Sequence, residues 1–134
     1  MRIARPLLLC FAVTALACGT DEPTGPTQLM IEELTMGTGA LAVTGDTVTV
    51  HYVGSFLDGR VFDSSVASGT PFTFRTGTSA VIPGFEQGVL GMRVGGKRRV
   101  TIPSDLAYGS QGRGSIPPNT PLRFEIELLS IAGK

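Results

Sequence analysis

Tryptophan is missing from this 134-residue chain, histidine occurs once and cysteine twice. Such scarcity excludes Cys-rich scaffolds, zinc fingers and multi-histidine metal sites, which need several sulfur or imidazole ligands. Excess charge of either sign is lacking too: eleven basic residues face eleven acidic ones, for a formal net charge of +0. Nucleic-acid binders normally carry a basic surplus, so that class is set aside. Eighteen Gly and nine Pro, without any repeat, exclude both a helix bundle and collagen. What is there, 42% hydrophobic and 16% charged residues, suits one globular domain rather than a disordered tail.

The two cysteines, Cys10 and Cys18, both fall within the first eighteen residues. Met1–Arg5 is a short cationic stretch, and Pro6–Ala17 runs apolar apart from Thr14. Ala15-Leu16-Ala17 then supplies small residues at both positions that a signal peptidase reads, completing the pattern of a secretory signal over residues 1–17. The apolar run is too short for a transmembrane helix, which needs about 20 such residues. Ala15-Leu-Ala-Cys18 resembles a bacterial lipobox, with Leu16 one place nearer the cysteine than usual, and makes Cys18 the expected lipidated N-terminus. Ordinary cleavage after Ala17, leaving a free thiol, is the alternative. Gly19 in the next position resembles the sorting context of an outer-membrane lipoprotein. An exported protein of the cell envelope is therefore expected, on the periplasmic side of the outer membrane or soluble in the periplasm. Residues 18–28 are polar and broken by Gly and Pro, hence a flexible tether. Without Arg2 and Arg5, nine basic residues face eleven acidic ones, so the chain from residue 19 onward is mildly acidic and free of cysteine. The globular domain is expected at 29–134.

Strand patterns dominate that domain. Leu122, Phe124, Ile126 and Leu128 alternate with Arg123, Glu125 and Glu127, which predicts an antiparallel sheet with one wet face. Val48, Val50 and Tyr52 alternate likewise with Thr47, Thr49 and His51. Further strands are expected at Leu29–Thr35, Pro71–Arg75 and Lys97–Ile102, and Asp58-Gly59 signals a hairpin turn. One helix is expected around Gly84–Met92, opened by Pro83 and weakened by Gly88 and Gly91.

Reactive groups are few. Ser64, Ser65 and Ser68 are nucleophile residue types, but His51 is the sole imidazole and its expected role is structural. No metal-protease, Cys-x-x-Cys or phosphate-loop motif occurs. Lys97-Arg98-Arg99 reads as a solvated strand edge.

Six strings nevertheless follow one another in order: Val50-His-Tyr-Val-Gly54, Asp58-Gly-Arg-Val-Phe-Asp-Ser-Ser65, Pro71-Phe-Thr-Phe74, Val81-Ile-Pro-Gly-Phe-Glu-Gln-Gly88, Leu106-Ala-Tyr-Gly109 and Ile116-Pro-Pro-Asn119. Together they resemble the FKBP-type peptidyl-prolyl cis-trans isomerases across about residues 30–131. The resemblance implies an α+β fold, an FKBP-like antiparallel half-barrel sheet of five to six strands wrapped around one short helix. It implies isomerisation of X–Pro bonds in exported polypeptides without a cofactor, in a monomer with no nucleic-acid partner, and macrolide inhibitors as candidate ligands. By the same resemblance Tyr52, Asp63, Ile82 and Tyr108 are the catalytic set. Phe62, Phe72, Val81, Phe85, Ile116 and Phe124 would line the substrate pocket, with Phe85 at its floor. The Ile82 N–H and the Tyr108 hydroxyl would donate to ligand carbonyls.

Three departures bear on this carry-over. Ser68 stands where well-studied members place an arginine that pairs with the pocket aspartate, Phe85 replaces the usual Trp, and Ser110–Ser115 is one residue shorter than the common loop. A low-activity binding module or chaperone that recognises Pro-containing segments is the second reading.

Overall fold

The computed structural model describes residues 26–134. The signal-like segment, Cys18 and most of the tether lie outside the described residues. Six strands follow in order: β1 (Met30–Thr35), β2 (Thr47–Phe56), β3 (Val61–Ser64), β4 (Phe72–Arg75), β5 (Lys97–Ile102) and β6 (Leu122–Ile131). The single-turn helix α1 (Ser65–Ser68) follows β3, and α2 (Pro83–Val89) follows β4. All strand pairs are antiparallel, in the order β1-β5-β6-β2-β3, with β4 also paired to β2.

The expected alternation is realised in β6, where Leu122, Phe124, Ile126 and Leu128 are all buried. Each such side chain contributes roughly 1.5–3 kcal/mol when removed from water. One bulge breaks the period: Thr49 faces Ser130 while Val50 faces Leu128, leaving Leu129 unpaired. That extra residue lets Leu128 and Ile131, three positions apart, both reach the core. The Asp58-Gly59 turn joins β2 to β3, with Gly59 at φ 98, a left-handed conformation that glycine adopts without steric cost. The strand ends extend the sequence reading, since β2 runs on to Phe56 and β6 to Ile131.

Two expectations need correction. The single-turn helix α1 is an addition, capped by Ser64 Oγ accepting from the Ala67 N–H at 3.0 Å and ended by Gly69 at φ 79. Arg98 does not sit on a solvated edge. Its guanidinium donates to the carbonyls of Gly88 at 3.1 Å, Leu90 at 2.9 Å and Gly91 at 3.2 Å, and pairs with Glu33. It thereby satisfies carbonyls that the end of α2 would otherwise leave open, and places a cation where the helix dipole favours one.

The glycines of α2 look like weaknesses by helix propensity, and their packing explains them. A Cβ at Gly84 would stand 2.3 Å from Ile102 Cγ2, and one at Gly88 would stand 2.7 Å from Val100 Cγ2. Both neighbours lie on β5, so the helix rests on the sheet at close to backbone distance. Gly84→Ala sets two effects against each other: a helix-propensity gain of about 1 kcal/mol and an overpacking cost of about 1–3 kcal/mol. The clash involves a fully buried side chain, so net destabilisation is expected in urea unfolding. A variant more stable than the parent would refute the close-packing account.

Candidate functional site

Between α2 and the concave face of the sheet lies a cleft of about 360 Å³. Its floor is Phe85, 4% exposed, on the first turn of α2. Four rings surround Phe85 edge-on: Tyr52 at 5.5 Å, Phe124 at 5.1 Å, Phe74 at 5.8 Å and Phe72 at 6.5 Å between centroids. Such pairs add about 0.5–1.5 kcal/mol each beyond area burial, so the floor is held from every side. Gly54 makes room for the far wall, because a Cβ there would lie 2.7 Å from Phe124 and 2.9 Å from Phe62.

Phe62 and Asp63 are consecutive in β3, and consecutive strand residues normally face opposite sides. Both line the cleft. The reason is a bulge: Gly54 faces Asp63 but Ser55 faces Val61, so Phe62 is an extra residue and its side chain is re-aimed. Asp63 accepts a hydrogen bond from the Tyr52 hydroxyl at 2.7 Å. Ser68 plays no part in orienting it, since its hydroxyl donates to the Ser65 carbonyl at 3.0 Å within α1. Thus the tyrosine orients Asp63 where the missing arginine left its setting open.

Tyr52 is itself fixed from behind. Its backbone N–H donates to Ser65 Oγ at 2.7 Å, and that same oxygen lies 2.9 Å from His51 Nδ1. The serine and histidine candidates therefore meet, but in a support. Ser65 is buried, bonded to the β2 backbone, and absent from the cleft lining.

At the start of α2, Val81 and Ile82 line the opposite rim. Ile82 is the extended N-cap residue, and its carbonyl accepts from the Phe85 and Glu86 N–H groups at 3.1 and 3.2 Å. Its own N–H has no partner among the described residues. Tyr108 closes the cleft from the loop after β5.

Nine of the sequence-derived residues thus converge: Tyr52, Phe62, Asp63, Phe72, Val81, Ile82, Phe85, Tyr108 and Phe124. Ile116 does not join them. It is 7% exposed in the core and bridges Arg113 through its backbone. Cys18 lies outside the described residues. Ser79, Ala80 and Arg113 also line the cleft, although the sequence reading singled out none of them. Ser79 and Ala80 carry no side-chain signal, whereas Arg113 could have been found between the matched Tyr108 and Ile116 strings. Among the described residues no group of three or more His, Cys, Asp or Glu is placed to hold a metal ion.

The cleft is thus floored by an aromatic ring and rimmed by two tyrosines and by a backbone N–H without a partner among the described residues. Similarity to known proteins identifies the family. The family described as FKBP-type peptidyl-prolyl cis-trans isomerase matches residues 39–129, and the chain belongs to that family. FK506-binding protein 2 of Yarrowia lipolytica is 49% identical over 139 residues, covering 96% of this chain and 94% of that one. The FK506-binding protein of Neisseria meningitidis is 47% identical over 104 residues, covering 77% of this chain and 95% of its own. The chain spans only 29% of a third relative, FK506-binding protein 4 of Dictyostelium discoideum, at 51% identity. Among solved structures, AtFKBP13 superposes with a TM-score of 0.74 at 39% identity, covering 84% of this chain and 100% of that one.

Burial pushes the Tyr52 hydroxyl up to about 12, and the bonded Asp63 carboxylate adds to the effect. The folded state therefore holds this proton more tightly than the unfolded chain does. The associated stability is complete below about 10, the value of a free phenol, and is lost as pH rises through about 12. Alkaline absorbance titration should show an ionisation near 12 that Tyr52→Phe abolishes. If the parent protein has no step above the free-phenol value, the hydroxyl is not held as described.

Proposed function

We propose that this cleft accelerates rotation about X–Pro bonds in exported polypeptides, by desolvating the amide and holding its twisted form. The planar amide is separated from its isomer by about 18–20 kcal/mol because rotation breaks resonance. Unaided, the change takes tens to hundreds of seconds. Resonance is lost at the twisted transition state, and the carbonyl then carries less charge separation. Aromatic walls that exclude water destabilise the polar planar amide more than the twisted one. A thousandfold to hundred-thousandfold acceleration asks for roughly 4–7 kcal/mol, which binding and desolvation can supply. No nucleophile takes part.

The observation that carries this reading is the Ile82 N–H, without a partner among the described residues, on a cleft that Phe85 and Tyr108 also line. That N–H and the Tyr108 hydroxyl are donors to peptide carbonyls, and both flank an apolar surface fit for a proline ring. Asp63, polarised by Tyr52, forms the polar edge. The signal-like start and Ala15-Leu-Ala-Cys18 support an exported and lipid-anchored setting, with the polar residues up to Gln28 as a tether. Among the described residues no helix is long and apolar enough to cross a membrane.

Exchange spectroscopy on a Leu-Pro-Phe peptide should show faster cis/trans interconversion with the protein present. Tyr108→Ala and Phe62→Ala should lower that rate at least tenfold, by roughly 1.4 kcal/mol or more, with the fold retained by circular dichroism. Binding of the peptide without any rate change would favour the binding-module reading instead. Mass spectrometry of the mature N-terminus should find an acylated Cys18; an unmodified cysteine there excludes the anchor.

A further inference from the structure

Of the residues lining the cleft, two carry charge, Asp63 and Arg113, and their situations differ. The Asp63 carboxylate accepts from the Tyr52 hydroxyl through one of its two oxygens. Arg113 makes no ion pair among the described residues.

The placement of Arg113 is fixed at both ends. Its backbone N–H donates to the Ile116 carbonyl at 2.9 Å, and the Ile116 N–H returns a bond to the Arg113 carbonyl at 2.8 Å. Gly112 before it has φ 67, and a Cβ there would lie 2.5 Å from Ile116 O, so the chain enters this turn only through glycine. At the other end the guanidinium lies over the Tyr108 ring, 5.9 Å from its centroid. With no ion pair among the described residues, its N–H groups are available, and a guanidinium edge matches a carboxylate in two parallel hydrogen bonds. An ammonium would offer no such planar fit.

We infer that Arg113 sets the substrate preference of this cleft, favouring polypeptides with an Asp or Glu adjacent to the proline. The inference rests on the isomerase reading and names the segment that reading leaves open. Asp63 keeps its negative charge but forms no ion pair with Arg113, so the guanidinium remains open to a second carboxylate.

The test uses pairs of peptides that differ only in Glu against Gln, placed before or after the proline, and compares kcat/KM by exchange spectroscopy. Taking the ratio within each protein cancels any general change in activity. For the parent protein the Glu peptide should be favoured about two- to fivefold at low salt at one of the two positions, as for an exposed charge pair. The difference should lie in KM. It should shrink as ionic strength rises, because screening shortens from about 30 Å at 0.01 M to about 10 Å at 0.1 M. Arg113→Gln should bring the ratio to about one, and Arg113→Glu should favour a Lys peptide instead. Equal turnover of Glu and Gln peptides at both positions overturns the inference and leaves the isomerase standing. A Glu preference that survives in Arg113→Gln overturns it in the same way. No turnover of any peptide overturns the isomerase reading and this inference with it.

Discussion

Everything in the cleft depends on how closely α2 approaches β5. With side chains at positions 84 and 88 the helix would stand off the sheet by the thickness of a methyl group at each point. Gly84 and Gly88 remove that spacer against Ile102 and Val100. Phe85, between them in sequence, then lies low enough for Tyr52, Phe72, Phe74 and Phe124 to meet it edge-on. A helix of seven residues is too short to hold itself together in water. This one is held by its contact with the sheet and by Arg98, which reaches from β5 to its last carbonyls.

The polar groups around the cleft form a chain of supports. Ser65 bonds the backbone of Tyr52, and the hydroxyl of Tyr52 bonds Asp63. Each link takes a group whose position would otherwise be loose and fixes it to the next element. The sheet therefore specifies the geometry of the apolar site through a few buried or half-buried hydrogen bonds, which are strong where water is scarce. The outward face also carries exposed charge pairs such as Arg60 with Asp58, which contribute little to stability.

Much of this was legible in the sequence because alternation is a local signal. Leu122 to Leu128 announces its own inward face, and the order of six short strings located the cleft residues. What escaped was written in relations between distant segments. A bulge such as that at Phe62 exists only against a partner strand, so β3 alone cannot disclose it. Arg98 reads as one cation in a basic run until the end of α2 is seen beside it. Gly84 and Gly88 read as defects by propensity, because propensity does not know what stands opposite. Ile116 belongs to a matched string and is buried in the core, while both of its backbone groups close the turn that holds Arg113.

The bulge at Phe62 divides the cleft into unequal halves. Tyr52 and Phe124 stand on β2 and β6, and β6 is bonded along both edges, to β2 and to β5. Phe62 and Asp63 stand on a four-residue strand bonded along one edge, with its register broken at the bulge. Local opening is easiest where ladder bonds are fewest. One jaw of the cleft is therefore the stiffer support and the other the strand from which local opening would start.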